Sequence, residues 1–146
     1  MVDKNKLPDG VKGLLSDAKK RGIKFGIWIE PEMANTTSEL YEQHPDWVLK
    51  APERDLVLGR GGTQVVLDLA NPAVQDFVFG VVDNLMTSYP EIDYIKWDAN
   101  MAVMNHGSQY LTKENQSHMY IEYHRGFEKV CQRIRAKYPD PVSYTH

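Results

Sequence analysis

The strongest constraint on the fold is an alternation of short strand-like segments with longer amphipathic helices. Residues 23–30 (IKFGIWIE) and 92–98 (IDYIKWD) are dense in β-branched and aromatic side chains and too short to form helices. Between them, Asn71 and Pro72 are residue types preferred at the cap and first position of a helix, and the residues that follow place apolar side chains on one stripe. This alternation is typical of βαβ units, so the sequence predicts an α/β fold with a parallel sheet.

Elements on either side extend this pattern. Residues 9–22 predict a short helix with Asp9 as its cap, and the residues after Thr112 predict a long helix with an apolar seam. The string PVSY, residues 141–144, predicts the start of a third strand. Two and a half strand–helix units are too few to close a barrel, which needs roughly 250 residues. If the parent fold is a barrel, the chain is a fragment of it.

The stretch between the first strand and Asn71 is less regular. Thr36 and Glu39 have the spacing of a capping box, which predicts a short helix that ends at about His44. Residues 46–64 combine a proline and three glycines with two small apolar patches. We interpret them as a long excursion, in the form of a hairpin folded over one end of the sheet.

Composition restricts the classes of partner. The chain has 146 residues, which suits one domain or a piece of a larger one, and its 17 basic against 20 acidic residues give a net charge of −3. This count does not supply the basic stripe of a nucleic-acid-binding protein. No apolar stretch approaches the ~18 residues of a membrane span, and the start MVDKNK lacks the apolar segment of an export signal. A single cysteine, Cys131, cannot form an internal disulfide, so we expect a cytoplasmic protein. From the charge and the hydropathy, we expect that it contacts neither nucleic acid nor membrane.

Polar side chains converge at the carboxyl ends of the two predicted strands. Because side chains alternate along a strand, Lys96 and Asp98 share one face of the second strand, and Trp28 and Glu30 share one face of the first. Parallel α/β proteins place their sites at this edge of the sheet. The pattern therefore predicts an active site there.

The residue types at this edge favour sugar chemistry. Lys96 would favour the charged form of Asp98, and an ionised, positioned carboxylate is what a covalent glycosidase nucleophile must be. Trp28 offers a flat surface on which the C–H face of a sugar can stack. Arg60, in the string GRGG, and Asn100 could supply hydrogen bonds from loops above the sheet.

Two other functions remain open from these residues alone. A buried strand lysine could act as the nucleophile of a Schiff-base lyase or aldolase, which would make Lys96 the reactive group. The same face could also bind a sugar without reacting. The five histidines have no spacing that indicates a metal site, and GRGG is not a phosphate-binding motif, so we expect neither metal nor cofactor.

Several longer strings carry a family resemblance. KFGIWIEPEM, YEQHPDW, QVVLDL with a Gly-Arg ahead of it, NPAVQDFV and above all IDYIKWDAN resemble the α-galactosidases of glycoside hydrolase family 36, over residues 8–139. The resemblance implies that residues 1–146 are part of a glycosidase catalytic domain. The expected fold is α/β, an incomplete (β/α)8 TIM-barrel fragment that contains about strands three to five with the intervening helices.

The resemblance also implies roles for individual residues. Asp98 matches the family's catalytic nucleophile, Lys96 and Asn100 match sugar-binding residues, and Trp28 matches a tryptophan of the galactose pocket. Arg60 matches a substrate-contacting arginine, although the string GRGGTQ has two more residues than the Gly-Arg-Asn-Gln that the family usually has. The implied ligand is galactose or an oligosaccharide with a terminal α-galactosyl residue.

Other parts of the family's machinery have no match in this chain. The general acid/base aspartate and the paired aspartates that hold galactose hydroxyls are absent from the sequence. A retaining glycosidase needs the second carboxyl group ~5 Å from the first. We therefore expect a retaining α-galactosidase as the parent protein and little or no turnover by the isolated chain. Because unpaired sheet edges seek partners, we also expect self-association as a homo-oligomer, by edge pairing or by packing of exposed helix faces.

Overall fold

The computed structural model describes residues 3–59, 61–99, 102–140 and 142–145, and for residues 142–145 it describes the backbone alone. It contains four α-helices and five strands in that part of the chain. In order they are α1 (Gly10–Lys20), β1 (Gly26–Ile29), β2 (Met33–Asn35), α2 (Glu39–Gln43), β3 (Gln64–Val66), α3 (Pro72–Ser88), β4 (Tyr94–Trp97), α4 (Met119–Lys137) and β5 (Val142–Thr145). Two 3₁₀ helices, Pro45–Trp47 and Lys113–His118, lie between them.

The three predicted strands form one parallel sheet in the order β1, β4, β5. Residue Trp28 is the register partner of Lys96, and Ile29 is that of Trp97. The chain leaves β4 and returns to β5 through α4, and it leaves β1 and returns to β4 through the excursion and α3. The α/β prediction is therefore confirmed.

The excursion differs from its prediction. The antiparallel pair does not lie within residues 46–64; it joins β2 to β3, so the excursion is the long connection of this pair. Inside the connection, Gly59 forms an isolated bridge with Gln64. Gly61 and Gly62, at φ values of 72° and 80°, make the turn between them. A side chain at such φ values is strained, which explains why two glycines stand there.

The helix starts agree with the sequence in one case and differ in three. Asn71 caps α3, since its side chain accepts a hydrogen bond from the backbone N–H of Ala73 at 2.9 Å. The cap of α2 is Ser38 rather than Thr36, and its hydroxyl accepts from the N–H of Tyr41. Asp9 and Thr112 stand at cap positions, yet neither side chain makes a capping bond, and Thr112 precedes a 3₁₀ helix.

The core lies between one face of the sheet and helices α3 and α4. Ile95 and Trp97 of β4 are buried in the same hydrophobic cluster as residues of both helices, and α3 packs against α4. The helices contribute the buried residues Val74, Val78, Val82, Val130 and Ile134. The opposite face of the sheet carries Gly26, Trp28, Tyr94 and Lys96, and we call it the open face. No helix in the described part of the chain is long and apolar enough to cross a membrane.

Candidate active site

Three of the predicted site residues meet at the carboxyl end of the open face. The indole N–H of Trp28 donates a hydrogen bond to Asp98 Oδ2 at 2.8 Å, and Lys96 Nζ lies 3.6 Å from the same oxygen. Asp98 directly follows β4, and its backbone N–H donates to the carbonyl oxygen of Ile29 at 3.0 Å. The pairing of β1 with β4 thus continues to Asp98 and places its carboxylate beside the indole of the neighbouring strand.

These side chains are accessible to different degrees. Trp28 is 48% exposed, although large aromatic side chains are usually covered in a folded domain. The side chain of Asp98 is 17% exposed and that of Lys96 is 35% exposed. The carboxylate therefore sits at the base of the cluster, with an uncovered aromatic ring and an ammonium group beside it.

Arg60 and Asn100, the other two predicted sugar contacts, lie outside the residues that the structure describes. The described parts of the two loops are held together by Asn105. Its side chain accepts from the N–H of Val57 and donates to the carbonyl oxygen of Val57, each at 2.8 Å. Gln109 adds hydrogen bonds to the carbonyl oxygens of Pro45 and Val48. The loop after β4 is therefore attached to the excursion by side chains that bind backbone.

Buried acids lie beneath this edge, and the sequence interpretation assigned no role to Glu32. Glu32 is 3% exposed, and its Oε2 accepts a hydrogen bond from the indole N–H of Trp97 at 2.5 Å. Asp68 is fully buried and accepts from the hydroxyl of Ser108 and from the N–H of Ala70. The position of Asp68 inside the apolar run VVLDL was a signal for burial. Glu32 has no comparable local pattern, although it stands in the string KFGIWIEPEM that carries part of the family resemblance.

Burial determines the electrostatics of these acids. Loss of water raises the pKa of Glu32, although the backbone and Trp97 hydrogen bonds act in the opposite direction. Desolvation also raises the pKa of Asp68, against the hydrogen bond from Ser108. The pKa of Tyr123 is raised by its burial first and then by the charges of Glu32 and Asp68. Glu32, Asp68 and Tyr123 therefore form one electrostatically linked polar group inside the fold.

Among the described residues, no group of three or more His, Cys, Asp or Glu side chains is placed to hold a metal ion. What the open face offers is a carboxylate, an ammonium and an aromatic surface. A carboxylate beside a positive charge can attack an electron-poor carbon, and an indole can stack on the apolar face of a ring. This combination suits a carbohydrate ligand.

The family model of melibiase matches residues 1–144. This chain belongs to the melibiase family. Curated relatives include α-galactosidase AgaA of Geobacillus stearothermophilus, 38% identical over 139 residues, which are 95% of this chain and 19% of that protein. α-Galactosidase 2 of Pediococcus pentosaceus is 38% identical over 138 residues, 94% of this chain and 19% of that protein. The chain thus spans about a fifth of the length of these melibiase relatives.

Solved structures give the same result. The α-galactosidase from Lactobacillus brevis matches 99% of this chain and 19% of its own with a TM-score of 0.89 and 37% identity. A variant of the GH36 α-galactosidase AgaA from Geobacillus stearothermophilus, in complex with stachyose, matches 99% of this chain and 20% of its own with a TM-score of 0.89 and 35% identity. The resemblance to family 36 α-galactosidases is therefore confirmed for this member of the melibiase family.

Proposed function

We propose that this chain is part of the catalytic (β/α)8 barrel of a retaining α-galactosidase, with Asp98 as its nucleophile. The observation that carries the proposal is the contact of Asp98 Oδ2 with the Trp28 indole N–H and the Lys96 ammonium at the open end of two parallel strands. Active sites of parallel α/β barrels lie at this end of the strands. Membership of the melibiase family supports the substrate class.

The geometry suits formation of a covalent intermediate. A hydrogen-bond donor and a cation on the same oxygen both favour the ionised carboxylate, which is the form that can attack. An Asp98 oxygen forms a bond to the anomeric carbon while the bond from that carbon to the leaving-group oxygen breaks, and that oxygen takes a proton from the acid/base group of the full-length protein. A water molecule then replaces the aspartate ester and releases galactose, with its proton taken up by the acid/base group.

The neighbouring residues would orient the sugar. The exposed ring of Trp28 provides the stacking surface, and Lys96 can donate to a hydroxyl as well as to Asp98. Arg60 and Asn100 are the further sugar contacts, on the family resemblance of their strings. The substrates are oligosaccharides with terminal α-galactosyl residues, a choice supported by the stachyose and raffinose complexes of AgaA variants.

On the family resemblance, we assign β1 and β4 to barrel strands three and four, with β5 as the start of strand five. The parallel pairing of these strands in the order β1, β4, β5 supports the assignment. α3 and α4 would then belong to the outer ring of helices. The two edges of this three-stranded sheet would pair with the rest of the barrel in the full-length protein, which we place in the cytoplasm.

The described acids beneath the site do not replace the missing acid/base. Glu32 is engaged with Trp97 inside the fold, and Asp68 is fully buried against Ser108. Neither is exposed where a leaving group could reach it. We therefore propose that the isolated chain has little or no turnover. We also propose that it self-associates, by pairing of its sheet edges or by packing of exposed helix faces.

The contacts of Lys96 count against the Schiff-base alternative. Schiff-base lysines are activated by an apolar pocket or by a second cation. Lys96 is instead 35% exposed and lies 3.6 Å from a carboxylate. A binding fragment without chemistry could use the same carboxylate to accept hydrogen bonds from sugar hydroxyls, so covalent labelling of Asp98 is the result that separates it from a glycosidase.

Covalent trapping tests the proposal in the full-length protein that contains these residues. An activated fluorosugar analogue of galactose should leave a stable ester on Asp98, located by peptide mass spectrometry. The Asp98→Asn variant is the control and should remain unlabelled. Borohydride reduction in the presence of a carbonyl substrate should leave Lys96 unmodified. Modification of Lys96 alone, or a label on another carboxylate, would refute the assignment of Asp98.

A further inference from the structure

We propose that Glu32 is a positioning residue for Asp98, acting through the side chain of Trp97. The inference rests on the proposed function and adds to it a residue on the opposite side of the sheet from the site. Glu32 lies close enough to Asp98 for their charges to interact, and its hydrogen bond is made to Trp97, the residue before Asp98. Its effect would pass through the tip of β4.

The first argument is a reciprocal pair of bonds between the two strands. On the open face, Trp28 of β1 donates to Asp98, which follows β4. On the buried side, Trp97 of β4 donates to Glu32, which follows β1. Each strand thus contributes one indole and one carboxylate, and the two bonds cross between the strand ends in opposite directions. Together they link the segment after β1 to the end of β4, where Asp98 begins.

The second argument is that Trp97 has little freedom to move while this bond is present. Trp97 is 3% exposed, and its ring meets Phe127 of α4 edge to face, with the ring centroids 5.0 Å apart. Its backbone is paired with Ile29 in the β1–β4 register, and the next residue is Asp98. A shift of the Trp97 ring would therefore displace the backbone to which the Asp98 carboxylate is attached.

The third argument concerns the choice of an acid. Glu32 Oε1 is buried and has no hydrogen-bond partner among the described residues, and an unsatisfied buried oxygen destabilises a fold. The backbone of Glu32 is fixed separately, because its carbonyl oxygen accepts from the N–H of Leu67 at 2.8 Å. A residue that served the fold alone would satisfy both oxygens or be apolar. Glu32 keeps one strong bond, to the indole beside Asp98.

The test compares variants of the full-length protein with an α-galactoside substrate. Glu32→Gln keeps an oxygen that can accept from Trp97. Glu32→Met removes the acceptor at similar volume, and Trp97→Phe removes the donor while keeping an aromatic ring. We expect Glu32→Met and Trp97→Phe to lower kcat about 10- to 100-fold with KM changed less than about threefold, since an error of about 1 Å in a reacting group has a cost of this size. Glu32→Gln should keep kcat within about threefold of the wild type.

A stability control separates positioning from folding. Val82→Ala removes core volume in α3 and changes neither end of the Glu32–Trp97 bond, so it should lower the thermal midpoint and leave kcat unchanged. The double variant that combines Trp97→Phe with Glu32→Gln should be no slower than Trp97→Phe alone. Wild-type kcat in either Glu32→Met or Trp97→Phe would overturn the inference, and if Glu32→Met does not fold, Trp97→Phe decides. A wild type without α-galactosidase activity would refute the proposed function instead.

Discussion

The two sides of the β1–β4 strand pair use the same chemistry in different surroundings. On the open face, an indole N–H donates to Asp98, and the donor ring of Trp28 is 48% exposed. On the buried side, an indole N–H donates to Glu32, and the donor ring of Trp97 is 3% exposed. The bond is common to both, but on the open face the donor residue is exposed and the carboxylate also has the Lys96 ammonium beside it.

This difference separates a surface that can bind from one that holds the fold. Water-exposed aromatic area is a favourable surface for an apolar ligand face, while the buried indole has already used its area against Phe127. The proposed site therefore depends on the open indole for affinity and on the buried one for geometry. This difference between the two sides can be tested with substitutions that change one side and leave the other unchanged.

The largest expected effect is on turnover, and it should be confined to the open face. Asp98→Asn removes the nucleophile and should reduce kcat of the full-length protein at least about 10³-fold, as the loss of a nucleophile does in other enzymes. Asp68→Asn changes an acid that is fully buried and bonded to Ser108, so it should retain most of its activity per folded molecule. Steady-state rates with an α-galactoside measure both. Equal losses in the two variants would remove the distinction between the sides.

Substitutions of the two tryptophans should differ in their effect on stability. Replacing the buried Trp97 should destabilise the fold more than replacing the exposed Trp28. Trp97→Ala empties a core position and should lower the free energy of unfolding by about 3–5 kcal/mol. Trp28→Ala should cost less than about 1 kcal/mol, because half of its surface already faces water, yet it should weaken galactose binding. Urea unfolding and a galactose titration provide the two readouts. A larger stability loss for Trp28→Ala would contradict the assignment of the open side.

Glycine substitutions test whether the buried side is more tightly packed than the open face. At Gly126 of α4 an added methyl group would meet the carbonyl oxygen of Leu69, which belongs to the backbone, so Gly126→Ala should cost about 1–3 kcal/mol. At Gly26 of the open face the nearest atoms would be those of the Tyr94 ring, a side chain that is 45% exposed rather than backbone, so the cost should be smaller. Gly80→Ala, with open space around it, is the matched helix control and should stabilise by up to about 1 kcal/mol. Thermal midpoints rank the three.

The smallest expected effect is on the pH dependence of stability. A buried acid and a partly exposed acid should change it in opposite directions. The raised pKa of Glu32 means that its protonated form stabilises the fold. This contribution is complete below the pKa of the unfolded chain and is lost as pH rises through the folded value. Glu32→Gln should therefore gain in thermal midpoint relative to the wild type as pH rises from about 4 to 7.

Asp83 provides the control of opposite sign. It is partly exposed, and hydrogen bonds from Lys137 and then Tyr138 lower its pKa. Its contribution is present above the unfolded pKa and is lost as pH falls through the folded value. Asp83→Asn should therefore lose relative to the wild type as pH rises over the same range. If the thermal midpoints of Glu32→Gln and Asp83→Asn changed with pH in the same direction, burial would not be what sets the direction of these pKa shifts.

Local patterns predicted much of this fold and the open side of the site. The strands β1, β4 and β5 and the cap of α3 follow from residue type and periodicity within short windows. The convergence of Trp28, Lys96 and Asp98 follows from alternation along parallel strands. These features depend on neighbours in sequence or on a simple repeat, so the sequence alone contains them.

The features that sequence reasoning missed depend on distant partners. β2 and β3 have three residues each, and their pairing across the excursion compensates for a weak local signal. Glu32 and Trp97 are 65 residues apart, and nothing in either string indicates the other. Ser38 rather than Thr36 caps α2 because the chain folds back there, with the Ser38 N–H and hydroxyl both donating to the carbonyl oxygen of Asn35.

The bond between Trp28 and Asp98 also couples the tryptophan fluorescence to the state of the proposed site. Of the three tryptophans in the chain, Trp28 is the one whose ring nitrogen contacts the carboxylate proposed to carry the sugar. Esterification of that carboxylate would cancel its charge and alter the electric field across the indole, and thus the colour of its emission. The protein would report each glycosylation through its own fluorescence, without an added dye.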